Sequence, residues 1–97
     1  MPRVYVRREA RAEVAEAFQW YEARRVGLGH EFLRVVSSAF IAIQRAPERC
    51  AVAVGDIRML PLRRFPYVVY FVETARGLSV IAVIHGRRHP HRWQSRH

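Results

Sequence analysis

Along the chain, the spacing of hydrophobic positions changes from two residues to three and four, then back to two. In "RVYVRR", Val4 and Val6 alternate with Arg3, Tyr5 and Arg7, the repeat of a short strand with one polar face. From Glu9 to about Arg25, Ala10, Val14, Ala17, Phe18 and Tyr21 fall on one stripe, which predicts a helix. Its acids come early (Glu9, Glu13, Glu16) and Arg24 and Arg25 come late, the order the helix dipole favours. Gly27 and Gly29 predict a helix stop and a tight turn. Leu28, Phe32, Val35, Val36, Ala39, Phe40 and Ile43 form a cleaner stripe. It predicts a second helix from about Gly29 to Arg45, ended by Pro47. Two stripes joined by so short a turn predict an antiparallel helical hairpin.

After Pro47, "PERCAVAVGD" reads as a connecting stretch of small apolar residues. In "DIRMLPL", Ile57, Met59 and Pro61 alternate with Arg58, Leu60 and Leu62. Pro61 cannot donate to a ladder, so this strand is expected at an edge or broken there. "FPYVVYFVE" is apolar on both faces and is the strongest strand signal. "TARG" reads as a hairpin turn, and "LSVIAVIH" returns antiparallel to it. Strict alternation would put Val80, Ala82 and Ile84 on one face and Ile81, Val83 and His85 on the other. The expected fold is α+β, a single domain over residues 1–97. An N-terminal strand and a helical hairpin precede a meander of three strands, with both helices on one face of a small antiparallel sheet and a short basic segment at the C-terminal end. The second sheet face is expected to be partly open, with His85 on its rim.

Charge sharpens this picture. The chain carries a formal net charge of +9, and all 17 basic residues are arginine. Residues 1–57 hold nine arginines against seven acids, whereas residues 58–97 hold eight against Glu73 alone. The C-terminal part should therefore attract an anionic partner, nucleic acid or an acidic protein segment. No apolar run is long enough to span a bilayer, and the start lacks the apolar region of a secretory signal. Cys50 is the only cysteine, which excludes an internal disulfide and fits a reducing cytoplasm. No membrane association and no cofactor are expected.

Candidate chemistry concentrates near the C-terminal end. His85, His89 and His91 have the spacing H-x3-H-x-H. Pro90 argues against a helix through them, and neighbouring arginines oppose a bound cation, so no metal site is expected. Paired-carboxylate hydrolysis lacks its second acid, and Cys50 in its apolar surroundings reads as a packed residue. The basic set remains: Arg58, Arg63, Arg64, Arg87 and Arg88, with His85 beside them. Arg63 and Arg64 enter one strand and Arg87 and Arg88 leave the next, so these four should meet at one end of the sheet. Such a cluster suits phosphate oxygens or a partner's acids. Trp93 either folds back to pin the C-terminal segment or offers a stacking surface to a partner or base.

The residues Arg64, Phe65, Pro66, Tyr67 and Tyr70, then after a turn His85, Arg88, Pro90 and Trp93, resemble the C-terminal half of the RelE/ParE toxin superfamily, and most the branch called plasmid stabilisation protein. "RREARAEVAEAFQWYEARRVGLGHEFL" is similar, more loosely, to that family's helical hairpin. The resemblance implies the toxin of a type II toxin–antitoxin pair, with a cognate antitoxin as partner. ParE-like members inhibit DNA gyrase by binding it. RelE-like members instead cleave mRNA on the ribosome; under that alternative Arg64 and Arg88 would stabilise phosphate and His85 would be the acid or base. The chain lacks the lysines of the best-known nucleases, and Trp93 stands near where some of them place a tyrosine. These departures favour the ParE-like expectation.

Overall fold

A computed structural model of the protein describes residues 1–88 and 91–96. Strand β1 (Val4–Val6) leads into helix α1 (Arg8–Arg24), and α2 (Leu28–Arg45) follows within one short turn. A 3-10 turn (Pro47–Arg49) then opens four strands, β2 (Ala51–Val54), β3 (Ile57–Pro61), β4 (Tyr67–Thr74) and β5 (Gly77–His85). A second 3-10 turn covers Arg92–Ser95.

The helical hairpin is tied by one side chain. Glu22 accepts hydrogen bonds from the backbone N–H groups of Gly27 and Gly29, both at 2.9 Å. This satisfies donors that a helix start leaves over. Gly29 also sets the helix spacing, since a Cβ there would lie 2.7 Å from the Phe18 carbonyl oxygen. Beneath the hairpin, Tyr21, Phe32 and Phe65 pack with ring centroids 4.9–5.3 Å apart. They belong to the main core between the helices and the sheet, with Val69, Phe71, Val80 and Val83 supplying the sheet side.

The five strands form one sheet in the order β1-β5-β4-β3-β2. From β2 to β5 every pairing is antiparallel, but β1 joins the edge of β5 in parallel, with Val4 opposite Leu78 and Val6 opposite Val80. The sheet is therefore mixed, where alternation alone predicted an antiparallel one. The reach of β1 depends on Gly77 at φ 141°, because a Cβ there would meet the Arg3 carbonyl oxygen at 2.5 Å. "PERCAVAVGD" is not merely a connection: Ala51–Val54 forms β2, an edge strand whose register shifts between Val52 and Val54. The meander thus has four strands rather than three.

A bulge changes which way β5 points. Tyr70 pairs with Ala82 but Phe71 pairs with Val80, leaving Ile81 as the extra residue. Beyond it the faces exchange. Val80, Val83 and His85 lie on the helix side, whereas Ile81, Ala82 and Ile84 join the second face. Strict alternation placed Val80 with Ala82 and Ile81 with Val83, leaving open which face looks outward, and the bulge separates both pairs. The second face is also better covered than expected. Trp93 lies on it with 5 % exposure and stacks on Tyr70 at 4.3 Å and 14°. Trp93 is therefore a core residue in this fold, not an exposed stacking surface.

Candidate functional site

Strand β1 ends at Val6, but β5 runs on to His85, so the outer edge of β5 is left without a strand partner along its second half. Side chains fill the place. Glu13 Oε1 accepts from the Val83 N–H at 3.1 Å, and Arg96 Nη1 donates to the Ile81 carbonyl at 3.3 Å. The two side chains face each other, with Arg96 Nη1 2.9 Å from Glu13 Oε2 and side-chain exposures of 15 % and 13 %. Arg7 Nη1 adds a bond to the Arg96 carbonyl at 3.4 Å. Together with Trp93, these contacts clasp the C-terminal segment around the β5 edge, from the second face across to α1. Such a clasp blunts an edge that would otherwise pair with another chain.

Beside the clasp, α1 and the end of β5 enclose a groove of about 340 Å³. Glu16, Gln19 and Trp20 line it from the helix, and Tyr67, His85, Arg88 and Arg92 from the sheet and exit segment. Trp20 is 44 % exposed, which leaves part of an amphipathic ring open to a partner. Arg24 lies 4.1 Å from its ring centroid and Arg88 6.0 Å, both within cation–π range. Burial pushes the Tyr67 phenol above its ordinary value; Arg88 partly offsets this and Glu16 adds to it. His85 packs edge-on against Tyr67, 5.6 Å between centroids. Its Nδ1 accepts from the backbone N–H groups of Arg87 and Arg88 at 3.1 and 3.3 Å. The imidazole thereby shapes the turn that leaves β5.

The other basic residues go elsewhere. The segments bearing Arg63, Arg64, Arg87 and Arg88 do meet, as the Gly86 N–H donates to the Pro66 carbonyl at 3.0 Å. Their side chains nevertheless diverge. Arg64 pairs with Glu31 at 3.0 Å, and Glu31 also holds Arg25 at 3.1 Å. Arg64 does so from φ 67°, the one positive φ outside glycine among the described residues. Arg63 lines a separate groove along α2 with Val35, Ser38 and Ala42. Arg58 donates to the Cys50 carbonyl at 2.8 Å and borders a separate hollow with Asp56 and Glu73. Arg87 is exposed on the exit turn. His89 and Pro90 lie outside the described residues. Among the described residues no group of three or more His, Cys, Asp or Glu could hold a metal ion, and no helix is long and apolar enough to cross a membrane.

Trp20, Glu16, Glu13 and Glu31 stand outside the residues that the sequence marks as candidates. A signal existed for the first two: Glu16, Trp20 and Arg24 stand four residues apart on one helix face. For Glu13 and Glu31 there was none, because their partners, Arg96 and Arg64, are distant in sequence.

No family model and no curated protein matches the chain. Among solved structures, a chain of the chromosomal ParDE TA system from P. aeruginosa superposes with a TM-score of 0.68 at 18% identity, over 88% of this chain and 96% of that one. At that identity the likeness is one of architecture: this protein has the α+β fold found in the ParDE toxin–antitoxin system.

Proposed function

We propose that this protein is the toxin of a type II toxin–antitoxin pair, that it inhibits DNA gyrase by protein–protein binding as ParE-like proteins do, and that a cognate antitoxin neutralises it in the cytoplasm. The observation that carries the reading is the ParDE-like fold over most of the chain, joined to the motif from Arg64 to Trp93. Within that reading, residues 1–97 act as one domain. The dispersal of the basic residues supports binding over catalysis. Of the three groups a nuclease would use, Arg64 is drawn to Glu31 on α2, while Arg88 lies over Trp20 on α1. His85 spends Nδ1 on the exit turn. Arginines carried on separate elements suit a broad acidic partner surface better than one phosphate.

Induction of the gene should arrest growth, and co-expression of the cognate antitoxin should restore it. Purified protein should inhibit gyrase supercoiling; full supercoiling at excess protein would sink the gyrase reading. One observation favours the RelE-like alternative, because His85 and Arg88 line the same groove. Toeprinting on translating ribosomes decides it. New mRNA ends that vanish with His85→Ala plus Arg88→Ala would establish cleavage, and their absence removes it.

A further inference from the structure

We propose that a hollow flanking β1 on the second face of the sheet binds a phosphoryl anion, and that the bound anion ties β1 to the β4–β5 turn. The proposal stands apart from the toxin reading, because this hollow shares no lining residue with the groove between α1 and β5. Its position follows from the strand register. Ser79 pairs with Val72, a second-face residue, and Tyr5 pairs with Ser79. Residues opposite each other in a ladder share a face, so Tyr5 and Ser79 both look to the second face. With them, Arg7, Thr74 and Arg76 line a space of about 460 Å³, and no acid is among its lining residues.

The donors come from three places in the fold. Arg76 sits in the β4–β5 turn, where the Thr74 hydroxyl donates to the Gly77 carbonyl at 3.1 Å and accepts from the Arg76 N–H at 3.2 Å. The Arg76 guanidinium lies 5.1 Å from the Tyr5 ring centroid, within cation–π range, and makes no ion pair among the described residues. Arg7 follows β1. Its backbone N–H donates to the Val80 carbonyl at 2.9 Å and its Nη1 to the Arg96 carbonyl at 3.4 Å, which anchors the side chain and leaves further N–H groups over. Ser79 on β5 adds a hydroxyl with no hydrogen-bond partner among the described residues. Two guanidinium groups and a hydroxyl from separate segments suit the oxygens of a tetrahedral phosphoryl group better than the two oxygens of a flat carboxylate. Glu9 competes for Arg7, with its carboxylate 3.9 Å from Arg7 Nε, but the two side chains are 39 % and 46 % exposed, so the pair is weak. Strand β1 is only three residues long, and backbone bonds from Leu78 to Arg3 and from Arg7 to Val80 fasten its two ends. An anion shared by Arg7, Arg76 and Ser79 adds a fastening between the same two strands.

Isothermal titration of the full chain with inorganic phosphate, glycerol 3-phosphate and acetate, at constant ionic strength, tests the proposal. Both phosphoryl compounds should bind saturably, and acetate should not. Arg76→Gln should weaken phosphate by about tenfold or more, and Ser79→Ala by about fivefold. Arg34→Gln removes the same charge from an exposed position on α2 and should leave the affinity unchanged, which separates the hollow from the general attraction of a basic protein. Glu9→Gln should tighten binding by freeing Arg7. Saturating phosphate should raise the melting temperature of the parent and slow hydrogen exchange at the Leu78 amide, which donates to the Arg3 carbonyl; Arg76→Gln should lose both effects. Tighter binding of glycerol 3-phosphate than of phosphate assigns the hollow to a monoester, and weaker binding assigns it to the free anion. Absence of saturation, acetate binding as tight as phosphate, equal weakening in Arg34→Gln and Arg76→Gln, or Leu78 exchange unmoved at saturation would each overturn the proposal.

Discussion

Arg64 holds a backbone conformation that costs an ordinary residue about 1 kcal/mol or more. Glycine or asparagine would occupy φ 67° with less strain. The strain is accepted where an arginine side chain is brought to Glu31 on the opposite element. Arg64→Gly should therefore leave stability within about 1 kcal/mol of the parent, while growth arrest on induction falls. Thermal melts and an induction assay on the same variant check both halves. A variant that melts normally and still arrests growth would remove Arg64 from the working surface. Trp20 presents the reverse situation, a large ring kept exposed rather than a backbone kept strained.

Among the elements, the helical hairpin turn depends on two carboxylates. Backbone bonding from Gly27 holds Glu22 below its ordinary value of 4.5, and hydrogen bonding from Arg64 does the same for Glu31. Both folded values are depressed, so the contribution is complete above the unfolded value, about 4.3. It is lost as pH falls through the folded values. Acid melts should steepen as pH falls below the unfolded value on this account, and Glu22→Gln should flatten that slope. The clasp on β5 gives a second element-level prediction. Arg96→Ala should leave Glu13 without its cation and cost about 1–3 kcal/mol. It should also speed hydrogen exchange at the Val83 amide, which Glu13 holds, more than at amides within β4. Equal acceleration throughout the sheet would mean that the clasp acts only on global stability.

The elements differ in how far their sequence announced them. Both helices and the β4–β5 hairpin were legible because their apolar periods are long and their ends carry glycine or proline. The faces of β5 were not: with Val, Ile and Ala on both sides, nothing in the pattern marks Ile81 as the residue that bulges. β2 escaped because four small apolar residues carry no alternation. The site was legible only in part. The basic C-terminal segment was evident from charge, but which guanidinium goes to which helix depends on acids far away in sequence.

At the scale of the whole molecule, charge is unevenly spread, and the basic residues near the exit of β5 face different partners. Association with an acidic partner should be steered electrostatically. Its on-rate should fall steeply between low salt and 0.15 M, where the Debye length is about 8 Å. Stopped-flow association over a salt series measures this, and a flat profile would count against the arginine-rich surface as the docking face. Trp93 belongs to this scale as well, because it closes the second face of the sheet. Trp93→Ala should cost about 3–5 kcal/mol, visible as a large drop in denaturant midpoint.

The parallel pairing of β1 with β5 also sets a clock on synthesis. Val4 leaves the ribosome early, yet its partner Leu78 comes near the end of the described chain. At about 5–20 residues per second, the stretch between them takes roughly 4 to 15 s to make. From the completion of α2 at Arg45 until Leu78 is made, the helical hairpin presents its apolar stripe without the sheet that buries it. The nascent protein thus passes through a period in which α1 and α2 are available to chaperones and the finished surface does not yet exist.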